Sequence, residues 1–299
     1  MRNKPWPIVA GIAVLIAVAA AFLLTPSEPS YKGKPLTYWL QAYKIPFTAT
    51  NGLWRNGKAL GAGDEAPSRF ETDAAIKAIG TNAIPTLLRL IQHRDSRLRY
   101  WQFSLARKSP FFRIAPVSSF SPNYEAFMAF KVLGTNAGPA VPQLLEIYNR
   151  ESDRDTRDRV VSALTQIGPP AQPAVPMLLR RLAGTNTWMR VNAIVALGAI
   201  HSDSEAVVPA LTSSLRDPGY DVRFAAIMAL KDFGKAAKSA GPALVELLSD
   251  AKRDTWPSPA FATWTGGRVQ IPSLGAIATN ALLEIDPAAA AKAGIRDDW

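Results

Sequence analysis

Basic and aromatic side chains alternate along residues 97–121, and no acidic residue interrupts them. Arginine pairs with phosphate or sulfate, while an aromatic ring stacks on a base or a sugar. The stretch could therefore bind a polyanion, either nucleic acid or an anionic glycan. A structural role, with the apolar residues packed inward and the arginines coating the outside, is the favoured alternative. The residues that would carry polyanion binding are Arg97, Arg99, Trp101 and Arg107.

Residue types that support catalysis or metal binding are scarce in this chain. It has no cysteine, which excludes thiolate metal sites and a cysteine nucleophile. Its two histidines, His93 and His201, are far apart in sequence and have no neighbouring metal-binding motif. No phosphate-binding glycine loop, nucleophile elbow or zinc-protease motif occurs. We therefore expect a protein that is not an enzyme and that uses no cofactor or metal.

One helical pattern recurs six times and would supply the elements that position a site. Large apolar residues stand one and four positions before each turn residue, and alanine stands five before it. Together with the position eight residues before the turn residue, these three positions form one stripe on a helix. Alanine on this stripe lets a neighbouring helix approach closely. The turn residues are Gly80, Gly134, Gly168, His201, Gly234 and Asp286.

A second helix is predicted after four of these turns. A proline stands eight residues beyond the turn residue and precedes an apolar run. Proline is tolerated in the first turn of a helix, so each should open a helix antiparallel to the one before. Central turn residues recur every 33 or 34 residues, a period at which stacked helix pairs share a continuous core. The prolines are Pro142, Pro176, Pro209 and Pro242.

The pattern Ala-Leu-x-x-Ile-Gly followed by Ala-x-Pro-Ala-Leu resembles HEAT repeats, in particular the phycobilisome-lyase-like subgroup. The resemblance runs from Arg69 to Gly294. It implies an all-α fold, an α-α superhelix of about six helical hairpins, over residues 71–299. Membrane-anchored bacterial HEAT proteins are also similar at residues 31–40, which would begin a capping helix followed by a loop up to residue 70. Bilin lyases share the repeat type, so a lyase-like enzyme is a further alternative.

Arginine or asparagine stands eleven residues before five of the turn residues, with aspartate two residues earlier in two copies. In HEAT proteins such side chains tie adjacent repeats together through hydrogen bonds. We favour this structural role over a ligand-binding ladder. The positions are Arg69, Asn123, Arg157, Arg190 and Arg223, with Asp155 and Asp221.

Two insertions interrupt the repeat, near residues 97–121 and 250–272. The second is rich in proline, glycine and aromatic residues, which predicts a loop with its aromatic side chains on the helices. Interruptions are where specific function can enter a repeat protein. An unrecognised enzyme would gather Trp101, Trp256 or Trp264 beside carboxylates with shifted pKa values.

Residues 6–24 are almost wholly apolar and follow Arg2 and Lys4. As a helix the segment is about 27 Å long, close to the hydrocarbon thickness of a bilayer, about 30 Å. Phe22, Leu23 and Leu24 continue the apolar run past the small residues, which favours an uncleaved anchor over a cleaved signal peptide. The basic N-terminus predicts a cytoplasmic start and an extracytoplasmic solenoid, or a secreted one after cleavage. Residues 1–30 are anchor and linker.

The leading prediction is a membrane-anchored scaffold for protein–protein interaction. Stacked hairpins create an extended surface, and we expect a protein or peptide partner on a concave face formed mainly by the second helices. The net charge of +10 favours acidic partners, but nucleic acid is not expected outside the cytoplasm. The predicted partner-binding positions are Arg89, Gln143, Tyr148, Arg180, Arg181, Ser213 and Arg216.

Overall fold

A computed structural model describes residues 28–43, 54–55, 58–59, 67–93, 122–248 and 273–295. Within these ranges the chain is mainly α-helical, with two short antiparallel hairpins. The strands are β1 Ser30–Tyr31, β2 Lys34–Pro35, β3 Trp54–Arg55 and β4 Lys58–Ala59. The helices are α1 Leu36–Leu40, α2 Arg69–Ile79, α3 Ile84–Gln92, α4 Pro122–Leu133, α5 Val141–Arg150, α6 Arg154–Ile167, α7 Val175–Leu182, α8 Thr187–Ile200, α9 Ser204–Ser214, α10 Tyr220–Phe233, α11 Gly241–Leu248, α12 Leu274–Ile285 and α13 Pro287–Lys292.

Helices α2 to α13 form six consecutive pairs in the described residues, which we call units 1 to 6. The first helix of each unit (α2, α4, α6, α8, α10, α12) packs against the first helix of the next. The second helices (α3, α5, α7, α9, α11, α13) pack on this layer. The predicted all-α solenoid of helical hairpins is therefore confirmed.

The first helices end immediately before the predicted turn residue in all six units. Gly80, Gly134, Gly168 and Gly234 follow four of them with φ between 50° and 73°, a left-handed conformation that favours glycine. The four predicted stripe positions are buried in every unit. Each large apolar side chain on the stripe stabilises the fold by about 1.5–3 kcal/mol relative to exposure.

Polar side chains begin four of the first helices by accepting a hydrogen bond from a free backbone N–H of the first turn. Each such cap stabilises a helix by about 0.5–2 kcal/mol. The capping residues are Ser68, Asp153, Asn186 and Ser273, which accept from the N–H groups of Glu71, Thr156, Met189 and Ala276 at 2.9–3.2 Å.

Gly198 lies where α8 and α10 approach each other closely. A Cβ at this position would lie 3.0 Å from both Ala229 Cβ and Asp232 Oδ2, closer than ordinary van der Waals contact. The equivalent position in unit 5 is Lys231, so the repeat pattern alone does not predict this contact.

The second helices begin less uniformly than predicted. Pro142, Pro176 and Pro242 stand near the start of α5, α7 and α11, as expected. The prediction for Pro209 is wrong, because α9 begins at Ser204 and contains Pro209 in its interior. In the other three units a 3-10 segment of six or seven residues fills this space. Unit 4 has no such segment, so its helix starts earlier.

Residues 28–43 cover the start of the solenoid. Trp39 Nε1 donates to the carbonyl oxygens of Tyr31 and Lys34 at 3.3 Å each, which closes the β1–β2 hairpin onto α1. Thr72 of α2 donates its hydroxyl to the Trp39 carbonyl at 2.9 Å. The Tyr43 hydroxyl donates to the Asp73 carboxylate. Helix α1, with Leu36 and Leu40 fully buried, packs against α2.

The loop predicted to follow the capping helix up to residue 70 contains a short hairpin, in which β3 and β4 pair in the register Trp54↔Ala59 and Arg55↔Lys58. The sequence between these strands, Asn56-Gly57, is typical of a two-residue hairpin turn. The described residues include neither of the predicted insertions, near 97–121 and 250–272, nor the predicted anchor at 6–24. Among those described, no helix is long and apolar enough to cross a bilayer.

Candidate interaction groove

A groove of about 1020 Å³ lies between the second helices of units 1 and 2. Helices α3 and α5 form its long sides, and the turn that precedes α3 contributes Thr81 and Asn82. Residues 28–30, which lead into the β1–β2 hairpin, close one side. The N-terminal cap and the solenoid therefore build this groove together.

The floor of the groove is apolar and its rim is polar. Leu88 and Ile147 are at most 6% exposed and belong to the core. Arg89, Gln143 and Glu146 are exposed above them. An apolar floor with a few polar groups above it is typical of ligand-binding sites.

Hydrogen bonds across the groove hold its rim in place. Arg150 Nη2 of α5 donates to Gln92 Oε1 of α3 at 2.9 Å, joining units 1 and 2. On α3, Arg89 Nη2 donates to Thr86 Oγ1 at 3.1 Å. The Glu28 carboxylate accepts from the backbone N–H of Thr37 at 2.7 Å, which fixes the third side.

The charged side chains of the groove balance one another, since its lining includes two arginines, Arg89 and Arg150, and two glutamates, Glu28 and Glu146. A polyanion gains little from such a surface, because every cation is matched by a carboxylate of the same rim.

The structure brings together two of the predicted partner-binding residues in this groove, Arg89 and Gln143. Arg180 and Ser213 are exposed on the second helices of units 3 and 4, and Arg216 is exposed just after the end of α9; all three lie outside the groove. Arg216 forms a bidentate ion pair with Glu246 at 2.8 and 3.0 Å, and both side chains are more than half exposed. These three residues remain predictions for a second-helix surface.

The prediction that Arg181 is exposed is wrong. Its side chain is 1% exposed and pairs with Asp158 of α6, while Nη1 donates to the Tyr148 hydroxyl at 3.3 Å. Arg181 lies three residues after buried Leu178, which places it on the inward face of α7. The Arg157 guanidinium lies 5.4 Å from the centre of the Tyr148 ring. Tyr148 is therefore half-buried in a link between units 2 and 3.

Three of the four repeated arginines, Arg157, Arg190 and Arg223, have the structural role that was favoured. Arg190 forms a bidentate ion pair with Asp217 at 2.9 and 3.0 Å, tying unit 4 to the loop before unit 5. Arg223 Nη1 donates to the Asp217 and Pro218 carbonyls at 2.8 and 3.0 Å. Arg157 Nε donates to the Tyr148 carbonyl at 3.1 Å.

The aspartates assigned to the same ladder do not take part in it. Asp155 and Asp221 are exposed and have no hydrogen bond or ion pair within the described ranges. They stand in the first turn of α6 and α10, where a carboxylate interacts favourably with the helix dipole.

Exposed apolar side chains on the first helices were missed by the sequence reasoning. Trp188 is 61% exposed and Phe70 77%. Val195 and Met228 both stand six residues before their turn residue, off the buried stripe, and this repeat position was the available signal. A smaller cavity of about 240 Å³ includes Trp188 and the stacked rings of Tyr124 and Phe127.

The residues of the predicted polyanion site, Arg97, Arg99, Trp101 and Arg107, lie outside the described residues. Within the described part, no group of acidic or histidine side chains has the arrangement of a metal site. His93 follows the end of α3, and its carbonyl accepts from Arg159 Nη1 at 3.0 Å. His201 ends α8 with φ 49° and stacks on Phe233 at 4.7 Å between ring centres.

No curated protein matches the chain. Two engineered proteins solved by the Northeast Structural Genomics Consortium are similar in structure. The first is 18% identical, covering 75% of this chain and 86% of its own with a TM-score of 0.43. The second is 18% identical, covering 91% and 80% with a TM-score of 0.39.

A family model described as HEAT repeats matches residues 175–256. This range begins at α7 and contains units 4 and 5, whose helix pairs have the same buried stripe as the other units. Residues 175–256 are therefore similar to HEAT repeats, as the sequence pattern predicts.

Proposed function

We propose that this chain is a non-catalytic scaffold for protein–protein interaction, and that the groove between units 1 and 2 binds an extended polypeptide segment. The observation that carries the proposal is the rim of Arg89, Gln143, Glu146 and Arg150 above an apolar floor. HEAT repeats commonly mediate protein binding, which supports the same function. The resemblance to phycobilisome-lyase-like repeats does not identify any residue of this groove as catalytic.

Anchoring by residues 6–24 belongs to the same proposal. Its support is the length of the uncharged apolar run and the basic residues before it. Only three residues separate Leu24 from Glu28, the first described residue on the groove wall. An anchored chain would hold its groove close to the bilayer, so the expected partner is a membrane protein or a protein that works at the membrane surface.

Site-specific photocrosslinking of the full chain in its native membrane tests this function. Because the chain has no cysteine, Gln143→Cys provides a single thiol for a photoreactive label. We expect a discrete crosslinked product, and Arg89→Glu in the same chain should reduce its yield at least tenfold, because it removes a cation from the rim and adds a carboxylate.

Ser213→Cys is the matched control, since it places the same label on an exposed second helix outside the groove. Its products should differ from those of Gln143→Cys and should not respond to Arg89→Glu. Identical products from both positions, or a Gln143 product that is indifferent to Arg89→Glu, would contradict binding in the groove.

A further inference from the structure

The tip of the β1–β2 hairpin carries two exposed lysines. Lys32 Nζ lies 5.3 Å from the centre of the Tyr31 ring, and Lys34 Nζ lies 5.0 Å from that of Tyr38. Within the described part of the chain neither amine forms an ion pair with a carboxylate. The tip therefore presents cationic charge beside two half-buried aromatic rings.

The hairpin is held rigidly on the solenoid. Trp39 is 8% exposed, and its indole N–H bonds both strands. The backbone N–H of Leu36 donates to the Pro29 carbonyl at 2.9 Å, which closes the base of the hairpin. Because the next segment, α1, is buried against α2, the position of the hairpin tip is set by the solenoid.

The predicted anchor reaches the hairpin through a short tether. Six residues of chain lead from Leu24 to Ser30, which span at most about 22 Å when fully extended. Each headgroup layer of a bilayer is about 5–7 Å thick. A tether of this length allows the hairpin to reach the lipid phosphates.

We propose that the β1–β2 hairpin rests on anionic phospholipid headgroups, with Lys32 and Lys34 against the phosphates and Tyr31 and Tyr38 at the interface. Lysine is attracted to anionic lipid, and tyrosine is enriched at the membrane–water boundary. The contact fixes the orientation of the solenoid on the membrane. This inference rests on the anchor in the proposed function.

A single label tests the contact in the full chain reconstituted into vesicles. Pro35→Cys places one thiol next to Lys34 and keeps both lysines, and the exposed Pro35 has φ −66°, which other residues adopt readily. The label is a fluorophore, and the quencher is a nitroxide on the lipid headgroup. Vesicles contain phosphatidylcholine alone or mixed with phosphatidylglycerol.

We expect quenching in the mixed vesicles and weaker quenching with phosphatidylcholine alone. Each of Lys32→Gln and Lys34→Gln should lower the ratio of lipid-contacting to free hairpin about fivefold. A fluorophore at Ser213→Cys, in unit 4, should be unaffected by lipid composition and by either lysine change.

Flotation of the vesicles after an alkaline wash separates the two ways in which the idea could fail. A chain that does not float lacks the anchor, which overturns the anchor and the lipid contact together. If the chain floats but the Pro35→Cys label is quenched no more than the Ser213→Cys label, the anchor stands and the hairpin contact is wrong. Quenching that ignores both lysines also overturns the proposal.

Discussion

The first and second helices of the repeat differ in how strongly their sequences are constrained. First helices have the same four buried positions in all six units, because each packs against the first helices of its neighbours. Second helices vary in length and in where they begin, and their exposed faces carry unlike polar residues. Unit 4 shows this variation most clearly, since its second helix, α9, begins earlier in the repeat and contains Pro209 in its interior.

This difference separates stability from recognition within one repeat. A change on the buried side of a first helix affects two neighbouring units, whereas a change on the exposed side of a second helix affects one rim. Substitutions test this separation of stability from recognition, in order from the largest expected loss of stability to the smallest.

Leu164→Ala in α6 should have the largest effect. Leu164 is fully buried at a stripe position, and the cavity left behind should lower the free energy of unfolding by about 2–5 kcal/mol. Chemical denaturation of the full chain in detergent, followed by circular dichroism, measures it. Gln143→Ala, on an exposed second-helix face, should change it by less than about 0.5 kcal/mol. Equal losses from both changes would refute the separation.

Asp158→Ala should cost about 3 kcal/mol, because it leaves the buried Arg181 guanidinium without its carboxylate. The same denaturation experiment applies. Arg216→Ala is the matched control, because it breaks an ion pair whose side chains are more than half exposed, and it should cost at most about 1 kcal/mol. A loss of the control's size for Asp158→Ala would mean that Arg181 finds another partner.

Gly198→Leu should cost about 1–3 kcal/mol, since the new side chain must enter the contact between α8 and α10. Thermal unfolding of the full chain gives the comparison. Val195→Leu adds bulk to the exposed side of the same helix and should be nearly neutral. A neutral Gly198→Leu variant would show that α8 and α10 can separate without loss.

Tyr43→Phe should cost about 1 kcal/mol at neutral pH, through the hydrogen bond to Asp73. Burial, together with this bond, raises the pKa of Tyr43 above its usual range, so the folded protein keeps the phenol protonated. That stabilisation is complete below the pKa of an unfolded tyrosine, about 10, and declines as the pH rises further.

Denaturation of the wild-type chain and of Tyr43→Phe at a series of pH values tests the titration. Stability of the wild type should decrease more steeply above pH about 10 than that of the variant, which has no phenol at this position. Parallel decreases in the two proteins would show that Tyr43 does not contribute to the alkaline loss.

Local patterns predicted the first helices well, because a buried stripe and a left-handed turn both depend on residues that are close together in the sequence. Gly168 ends α6 where the pattern placed the turn, and Ala163 is buried as expected. The second helices were harder. Pro209 matches Pro176 in spacing, yet the two units differ in the turn before the proline, and turn length depends on packing as well as on sequence.

The candidate groove was only partly predictable. Arg89 and Gln143 were expected on an exposed second-helix face, and they do line one groove. Arg180 and Arg181 are neighbours in sequence, but one is exposed and the other buried. Which of two adjacent arginines turns inward depends on Asp158 and Tyr148, which belong to other helices.

The sequence by itself determined the repeat, the ends of its first helices and their buried side, since these follow from helical periodicity and from the backbone preferences of glycine and proline. Only the tertiary structure shows which arginines are exposed and which are buried. It also shows that α8 and α10 are in contact at Gly198 and that residues 28–30 complete the groove. Each of these features depends on residues from different segments of the chain, and a local sequence pattern does not predict which distant residues will be in contact.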